Sequence, residues 1–363
     1  MSVTVTNSPE GRRILEEIIE AYAAAEANLI GLVRDALARE AIGTAGFYQR
    51  QAQALAKVQS DARRALQQLT GGLEESLQQL LISEYQATSA MVAGGAVAQG
   101  VNAPAIAAVA AEIATTLTSS HTTILRTVID EYRRIISRGV TDAITSGQPQ
   151  QQMIQGLLNK FADRGITSFT DRSGRRWSMR SYIEMALRTG VTRAQNEGRR
   201  TGYAKTGVEL ILTSSHIACA PQCLPFQGRV LAMRGSAGKR EVIAPDGKTV
   251  TVDVVATFDD ALRAGYHHVN CRHTDTPYVP GMKIPKPVET DEKDYKAQQR
   301  QREIERNIRR WKLRKTAALD KPAERKANSR IRMWQKAQRD HVAQYPWMAR
   351  NYQREKVITA SGK

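Results

Sequence analysis

Apolar side chains recur every three or four residues from Ile14 onward: Ile14, Leu15, Ile18, Ile19 and Tyr22, then Leu29, Val33 and Leu37. That period puts them on one face of a helix. Ser8-Pro9-Glu10 supplies its start, with a capping hydroxyl, a proline where no N–H is needed and an acid in the first turn. A second helix is predicted from about Ala45 to Leu69, stopped by Thr70-Gly71-Gly72. A third runs from Leu73 to about Val92 and ends at Gly94-Gly95. A fourth begins near Pro104 and carries Ile124, Val128, Tyr132 and Ile136 towards Ile144, before Gly147 and Pro149 close the region.

The pattern changes after Pro149. Met153, Leu157, Leu158 and Phe161 give one short helix, and residues 167–177 read as a hairpin turning at Ser173-Gly174. A helix follows over about Ser178 to Lys205. Short β runs are predicted at Val208–Thr213 and Arg229–Met233, then a hairpin over Val242–Val252 turning at Asp246-Gly247. Asp259 to Arg263 reads as a helical turn. Pro280, Pro285 and Pro287 mark a linker. Beyond it lie two charged helices with narrow apolar stripes, Ile304, Ile308 and Trp311 on the first and Ile331, Trp334 and Val342 on the second, interrupted at Lys321-Pro322. The fold class is α+β: an elongated helical N-terminal arm, bundle or coiled-coil-like, over 1–147; a compact central α+β domain of zinc-knuckle type over 148–282; and a basic helical tail over 283–363. The arm has two readings, docking or homo-oligomerisation on one hand and packing on its own downstream domain on the other.

Charge sharpens this division. The chain carries a formal +17, but residues 1–147 hold 12 Lys/Arg against 15 Asp/Glu, and residues 283–363 hold 23 against 10. A polyanionic partner is therefore expected for the tail. The pairs Arg309-Arg310, Arg314-Lys315 and Arg325-Lys326, with Lys312 among them and Trp311 and Trp334 nearby, suit phosphate contact without base reading. Solvated helices docking by their apolar stripes are the plainer alternative. The N-terminus has neither a basic start nor an apolar run, so no signal peptide is expected. The long weakly polar stretch Ala87–Leu117 is broken by glycines, Asn102 and Pro104 and reads as a tightly packed helix, with no membrane partner.

Composition adds one concentrated feature. All three cysteines and four of the six histidines lie within residues 216–273. An odd, small cysteine count argues against a disulfide scaffold and for thiols used on a metal. Thiolate and imidazole are the usual Zn2+ donors. The first half-site is His216-Ile-Ala-Cys219-Ala-Pro-Gln-Cys223 and the second is His268-Val-Asn-Cys271-Arg-His273. Cys223 and Cys271 lead as ligands, His273 follows, and the fourth comes from Cys219, His216 or His268. No acidic metal ligand at recognisable spacing and no Gly-rich phosphate loop is present, so no catalytic residue is assigned and an enzyme is not expected.

The surrounding blocks carry a resemblance. Arg164-Gly-Ile, Phe169-Thr-Asp-Arg-Ser-Gly-Arg-Arg-Trp177, Tyr182-Ile-Glu-Met185, Arg188-Thr189, Thr213-Ser-Ser-His216, Cys223-Leu-Pro-Phe-Gln-Gly228-Arg-Val, Asn270-Cys-Arg-His273 and Tyr278-Val-Pro-Gly281 together resemble the central part of the phage minor capsid protein 2 family. The Cys/His and Asn-Cys-Arg pattern is also similar, more distantly, to Mu-type head morphogenesis proteins. The resemblance implies a minor head protein of a tailed bacteriophage, near the portal in head assembly. Its location would be the virion, in the capsid interior or at the portal vertex, after a period in the host cytoplasm. Its partners would be the portal or major capsid protein and packaged double-stranded DNA. It points to His216, Cys223, Cys271 and His273 as ligands of structural Zn2+. Cys219 is an additional thiol, which leaves the fourth position open between it and His216. Gln227-Gly228 is expected to form a tight turn. The rival reading is an effector enzyme, nuclease or toxin-like, carried in the virion and injected with the DNA.

Overall fold

The computed structural model describes residues 6–38, 47–93, 103–146, 149–170, 176–268, 271 and 273–357. In chain order the elements are α1 (Pro9–Ala38), α2 (Phe47–Gln68), α3 (Leu73–Val92), α4 (Ala103–Ser146), α5 (Gln150–Arg164), β1 (Thr167–Thr170), β2 (Arg176–Ser178), α6 (Met179–Thr206), β3 (Leu210–Thr213), a 3-10 turn (Leu224–Phe226), β4 (Val230–Ala232), β5 (Gly238–Ile243), β6 (Thr249–Thr257), α7 (Phe258–Arg263), β7 (Asp275–Pro277), α8 (Glu292–Thr316), α9 (Lys321–Gln344) and α10 (Tyr352–Glu355). The α+β class holds, and the predicted helices appear close to their expected bounds. The turns expected at Ser173-Gly174, Gly94-Gly95 and Gly147, and the start of the second helix at Ala45, lie outside the described residues. Among the described residues no helix is long and apolar enough to cross a membrane.

The chain forms two compact units. The first comprises Met1–Leu15, Glu75–Ala111 and Met185–Arg300; the second comprises Glu16–Glu74, Glu112–Glu184 and Gln301–Lys363. Each draws on segments far apart in sequence.

In the first unit, the start of α1 is fixed by side chains. Ser8 Oγ accepts the Gly11 N–H at 3.1 Å, the N-cap that the sequence signals. The fully buried Glu84 of α3 adds a second cap, accepting the Asn7 and Ser8 N–H groups at 2.7 and 3.0 Å and the Gln195 amide at 2.7 Å. On α6, Gly198 and Gly202 let the helix lie directly on α3. A methyl on Gly198 would sit 2.6 Å from the Tyr85 carbonyl oxygen, and one on Gly202 would sit 2.9 Å from that of Ser89. These are backbone walls, so the two glycines set the interhelical distance.

The same unit holds a five-stranded sheet in the order β5-β6-β4-β3-β7, antiparallel except for the β4–β6 pair. The expected hairpin is present, with β5 and β6 joined by a turn in which Gly247 takes φ +81°. One cluster, Leu210, Val230, Ala232, Val252 and Val254, packs on one side. Another gathers Val92, Tyr203, Ile211, Leu231, Phe258 and Tyr266 around Cys219 and Cys223. β-Branched and leucine side chains alternating along short strands generate both sets. β7 was not expected as a strand. It is three residues long and ends in Pro277, which a sheet edge tolerates because no ladder N–H is required there.

In the second unit, Tyr22, Leu29, Ile30 and Val33 of α1 are buried, as are Leu117, Ile124, Val128 and Tyr132 of α4. The apolar stripes of the tail meet each other: Trp311 packs with Ala327, Ile331 and Trp334. Lys321-Pro322 begins α9. Asp320 caps that helix by accepting the Ala323 N–H at 2.8 Å, and proline fits its first turn.

Candidate metal centre

Two distant segments of the first unit meet at one end of the sheet. β3 ends at Thr213 and β7 begins at Asp275, and these residues are ladder partners. Pairing runs one step further: the Ser214 N–H donates to the Thr274 carbonyl at 2.8 Å, and the Thr274 N–H donates to Ser214 Oγ at 2.9 Å. The Thr213 hydroxyl donates to the Phe226 carbonyl and accepts the Arg229 N–H. The chain leaving β3 is thus folded back beside the chain entering β7. Cysteines 48 positions apart come within 3.7 Å, Cys223 Sγ to Cys271 Sγ.

Cys223, Cys271 and His273 form the metal-competent group among the described residues, with one donor atom from each lying within 4.8 Å of the others. Cys271 Sγ is 3.2 Å from His273 Nδ1. Two thiolates at the usual Zn–S distance on a tetrahedral ion stand about 3.8 Å apart, so the sulfur pair already spans a tetrahedral edge. The imidazole is set for the same role. The His216 backbone N–H can only donate, and it points at Gln227 Oε1 at 3.1 Å. That fixes the Gln227 amide orientation. His273 Nε2 lies 3.1 Å from the same oxygen and therefore carries the proton. Nδ1 keeps its lone pair, facing Cys271. The residues fit Zn2+ in donor type, spacing and tautomer.

The two sulfurs are close enough for one thiol to donate to the other. Hydrogen bonding from Cys223 holds the Cys271 thiol well below its ordinary range. The same hydrogen bond to Cys271, with burial, pushes the Cys223 thiol up. A metal ion held here would take both sulfurs as thiolates and so release their protons.

The other expected ligands stand apart from this group. Cys219 Sγ lies 3.8 Å from His273 Nε2, the nitrogen turned away from the cluster, and donates to the Ala220 carbonyl. His216 holds the Ile217 carbonyl through Nδ1 at 3.0 Å, and its ring lies against that of His273, centroids 4.3 Å apart. His268 contributes its carbonyl, which accepts the Cys271 N–H at 2.7 Å. Asn270 and Arg272 of the second knuckle lie outside the described residues. The expected turn after the first knuckle is present: Gly228 takes φ +66°, and a methyl there would meet Pro287 at 2.7 Å.

Three residues beside the cluster carry no ligand signature in sequence. Gln227 sets the His273 tautomer. His267, adjacent to the expected His268, is buried with Nε2 2.7 Å from Asp275 Oδ2. Asp275 is buried as well.

The tail residues suggested for phosphate contact divide into two groups. Arg309 donates to the Arg354 carbonyl, Lys312 donates to the Glu355 carbonyl at 2.7 Å, and Arg314 grips both oxygens of Asp163. Arg310 approaches Asp163 at 3.5 Å and Lys315 approaches Glu324 at 3.8 Å. Arg325 and Lys326 are exposed.

The profile of the phage minor capsid protein 2 family matches residues 12–343, spanning the Cys/His cluster and most of the tail. A structural protein of Lactococcus phage LL-H is 29% identical over 232 residues, which is 62% of this chain and 61% of that relative. The chain thus spans less than two thirds of that relative's length. A structural protein of Lactococcus phage mv4 is 38% identical over 101 residues, covering 26% of this chain and 82% of that relative. No solved structure matches. The chain belongs to the phage minor capsid protein 2 family and is a structural protein of the virion.

Proposed function

We propose that this minor capsid protein acts in head assembly close to the portal vertex, bound to portal or major capsid protein. In this reading Zn2+ on Cys223, Cys271 and His273 holds its first unit, and its tail touches packaged double-stranded DNA. The residues of the metal centre supply hold and orientation: the thiols give up their protons, and Gln227 keeps His273 in the ligating tautomer. The ion would crosslink two segments that the sheet alone joins through short strands.

The observation that carries the DNA reading is a basic row on α9. Arg325, Arg332, Lys336 and Arg339 are exposed, and their spacing places them together on one side of the helix, turned away from the buried Ala327, Ile331 and Gln338. The row is about 21 Å long at the helical rise. Lys336 pairs with Asp340, an exposed carboxylate one turn further along the helix, at 2.6 Å. Arg309, Lys312 and Arg314 of α8 serve internal partners, and phosphate contact falls to α9.

Four phosphate contacts give a slope of log K against log salt of about −3.6. The full chain titrated with random-sequence duplex DNA is expected to approach that slope. Changing the four residues together to glutamine should flatten it to near zero, with no dependence on DNA sequence. Absence of binding by the unaltered chain at low salt would overturn the DNA reading. For location, an asymmetric reconstruction of the virion decides: density at the portal vertex supports the placement, and density only elsewhere on the shell overturns it.

A further inference from the structure

We propose that the second unit carries a separate anion site, an arginine-walled cavity that takes a compact phosphate oxyanion of the size of pyrophosphate. It depends neither on the metal centre nor on DNA contact by α9. The cavity has a volume of about 460 Å³, and its walls come from α1, the end of α5, the start of α6 and α8, all within that unit. Arg164, Arg180, Arg306, Arg309 and Arg310 line it. Against these five guanidinium groups stand the carboxylates of Asp163 and Glu303. A third acid, Glu26, is pushed by burial up to about 7 and adds no charge below that pH. Asp163 is also gripped on both oxygens by Arg314, which is not part of the lining. The lining is therefore cationic on balance, and guanidinium forks match the oxygens of a multiply charged oxyanion.

Three of the arginines are braced. Arg180, with its side chain 11% exposed, donates to Glu184 at 2.9 Å and to the Lys356 and Gln353 carbonyls at 2.5 and 3.3 Å. Arg164 pairs with Glu131 at 2.7 Å, and Arg310 Nε lies 3.5 Å from Asp163. Arg306 and Arg309 supply the uncompensated charge. Among the described residues neither has a carboxylate within ion-pair distance. Arg309 is half-buried and gives one N–H to the Arg354 carbonyl, and desolvation draws its guanidinium from an ordinary 12.5 down to about 10. A desolvated charge without a counter-ion is costly, and a bound anion would relieve that cost. Arg306 is exposed and stands three and four residues before Arg309 and Arg310, so α8 presents all three on one face. The first turn of α6 also lines the cavity, through Ser178, Arg180 and Ser181, and puts the positive end of that helix beside it. The volume lies in the range of small-molecule sites, about 300–1,000 Å³. A duplex is too broad to enter, so contact with its backbone stays with α9. A monocarboxylate would answer only one of the charges.

Calorimetric titration of the full chain with pyrophosphate tests this, in slightly acidic buffer where Glu26 keeps its proton and with ionic strength matched by sodium chloride. One pyrophosphate is expected to bind per chain. Arg306→Gln should weaken binding about 10-fold, the loss of one charge-assisted hydrogen bond. Because Arg306 is exposed and pairs with no carboxylate, its melting temperature should stay that of the unaltered chain. Arg306→Lys restores the charge without the fork and should recover part of the loss. Changing Arg325, Arg332, Lys336 and Arg339 together to glutamine should leave pyrophosphate binding intact. Absence of binding at matched ionic strength, or equal affinity in Arg306→Gln, would overturn the proposal. So would loss of pyrophosphate binding in the α9 variant. A short DNA duplex that displaces pyrophosphate, and itself binds more weakly to Arg306→Gln, would put duplex phosphates in the cavity and overturn the compact anion.

Discussion

Cys271→Ser is expected to abolish Zn2+ uptake and to cost the first unit most of its stability. Cys271 is the hub of the cluster, 3.7 Å from Cys223 Sγ and 3.2 Å from His273 Nδ1. A serine hydroxyl stays protonated at neutral pH and is a poor zinc donor. Removing it leaves one thiolate and one imidazole, too few to hold the ion. Structural zinc contributes on the order of 10 kcal/mol in small zinc domains, while whole domains are stable by about 5–15 kcal/mol. Even a fraction of that loss dominates. Metal analysis should find one ion per chain before the substitution and none after, with a matching drop in melting temperature. Cys223→Ser should behave alike. Cys219→Ser should retain the metal, because its sulfur faces the nitrogen of His273 that Gln227 engages. If Cys219→Ser lost the metal and Cys271→Ser kept it, the ligand assignment would fall.

The contrast between these cysteines marks how far the sequence could be read. Crowding of cysteine and histidine into residues 216–273 pointed to the cluster, and the blocks around it pointed to the family that the comparison bears out. Periodicity located the helices because their stripes are long. Which donors converge depends on where β3 and β7 release the chain, and β7 is three residues of Asp-Thr-Pro with no strand signal of its own. His268 was the candidate in sequence, yet it is its neighbour His267 that is buried, on a left-handed backbone that no pattern announces. Gln227 matters only because two groups from different segments point at one oxygen. Arg309, Lys312 and Arg314 of α8 looked free because their acceptors, the carbonyls of Arg354 and Glu355 and the carboxylate of Asp163, lie far along the chain.

A buried acid gives the second large effect, in the other unit. Glu26 falls on the apolar stripe of α1, four residues after Tyr22, and is 3% exposed. It accepts the Ile166 N–H at 3.1 Å. Burial pushes its carboxyl from an ordinary 4.5 up to about 7, against the pull of that hydrogen bond and of Arg180 and Arg309. The folded chain therefore holds this proton more tightly than the unfolded chain does. Below the unfolded value both states are protonated and Glu26 costs nothing. As pH rises towards 7 the unfolded state ionises first, and stability falls by about 1.4 kcal/mol per pH unit, about 3 kcal/mol in all, before levelling off. Glu26→Gln keeps an acceptor for Ile166 without the charge. It is expected to match the unaltered chain near pH 4 and to exceed it by up to about 3 kcal/mol at pH 8. Urea unfolding followed by tryptophan fluorescence reads this unit selectively, since Trp177, Trp311, Trp334 and Trp347 all belong to it. A variant less stable than the unaltered chain at pH 8 would mean that Glu26 serves the fold as an ionised partner of Arg180 and Arg309, and that burial does not govern its proton.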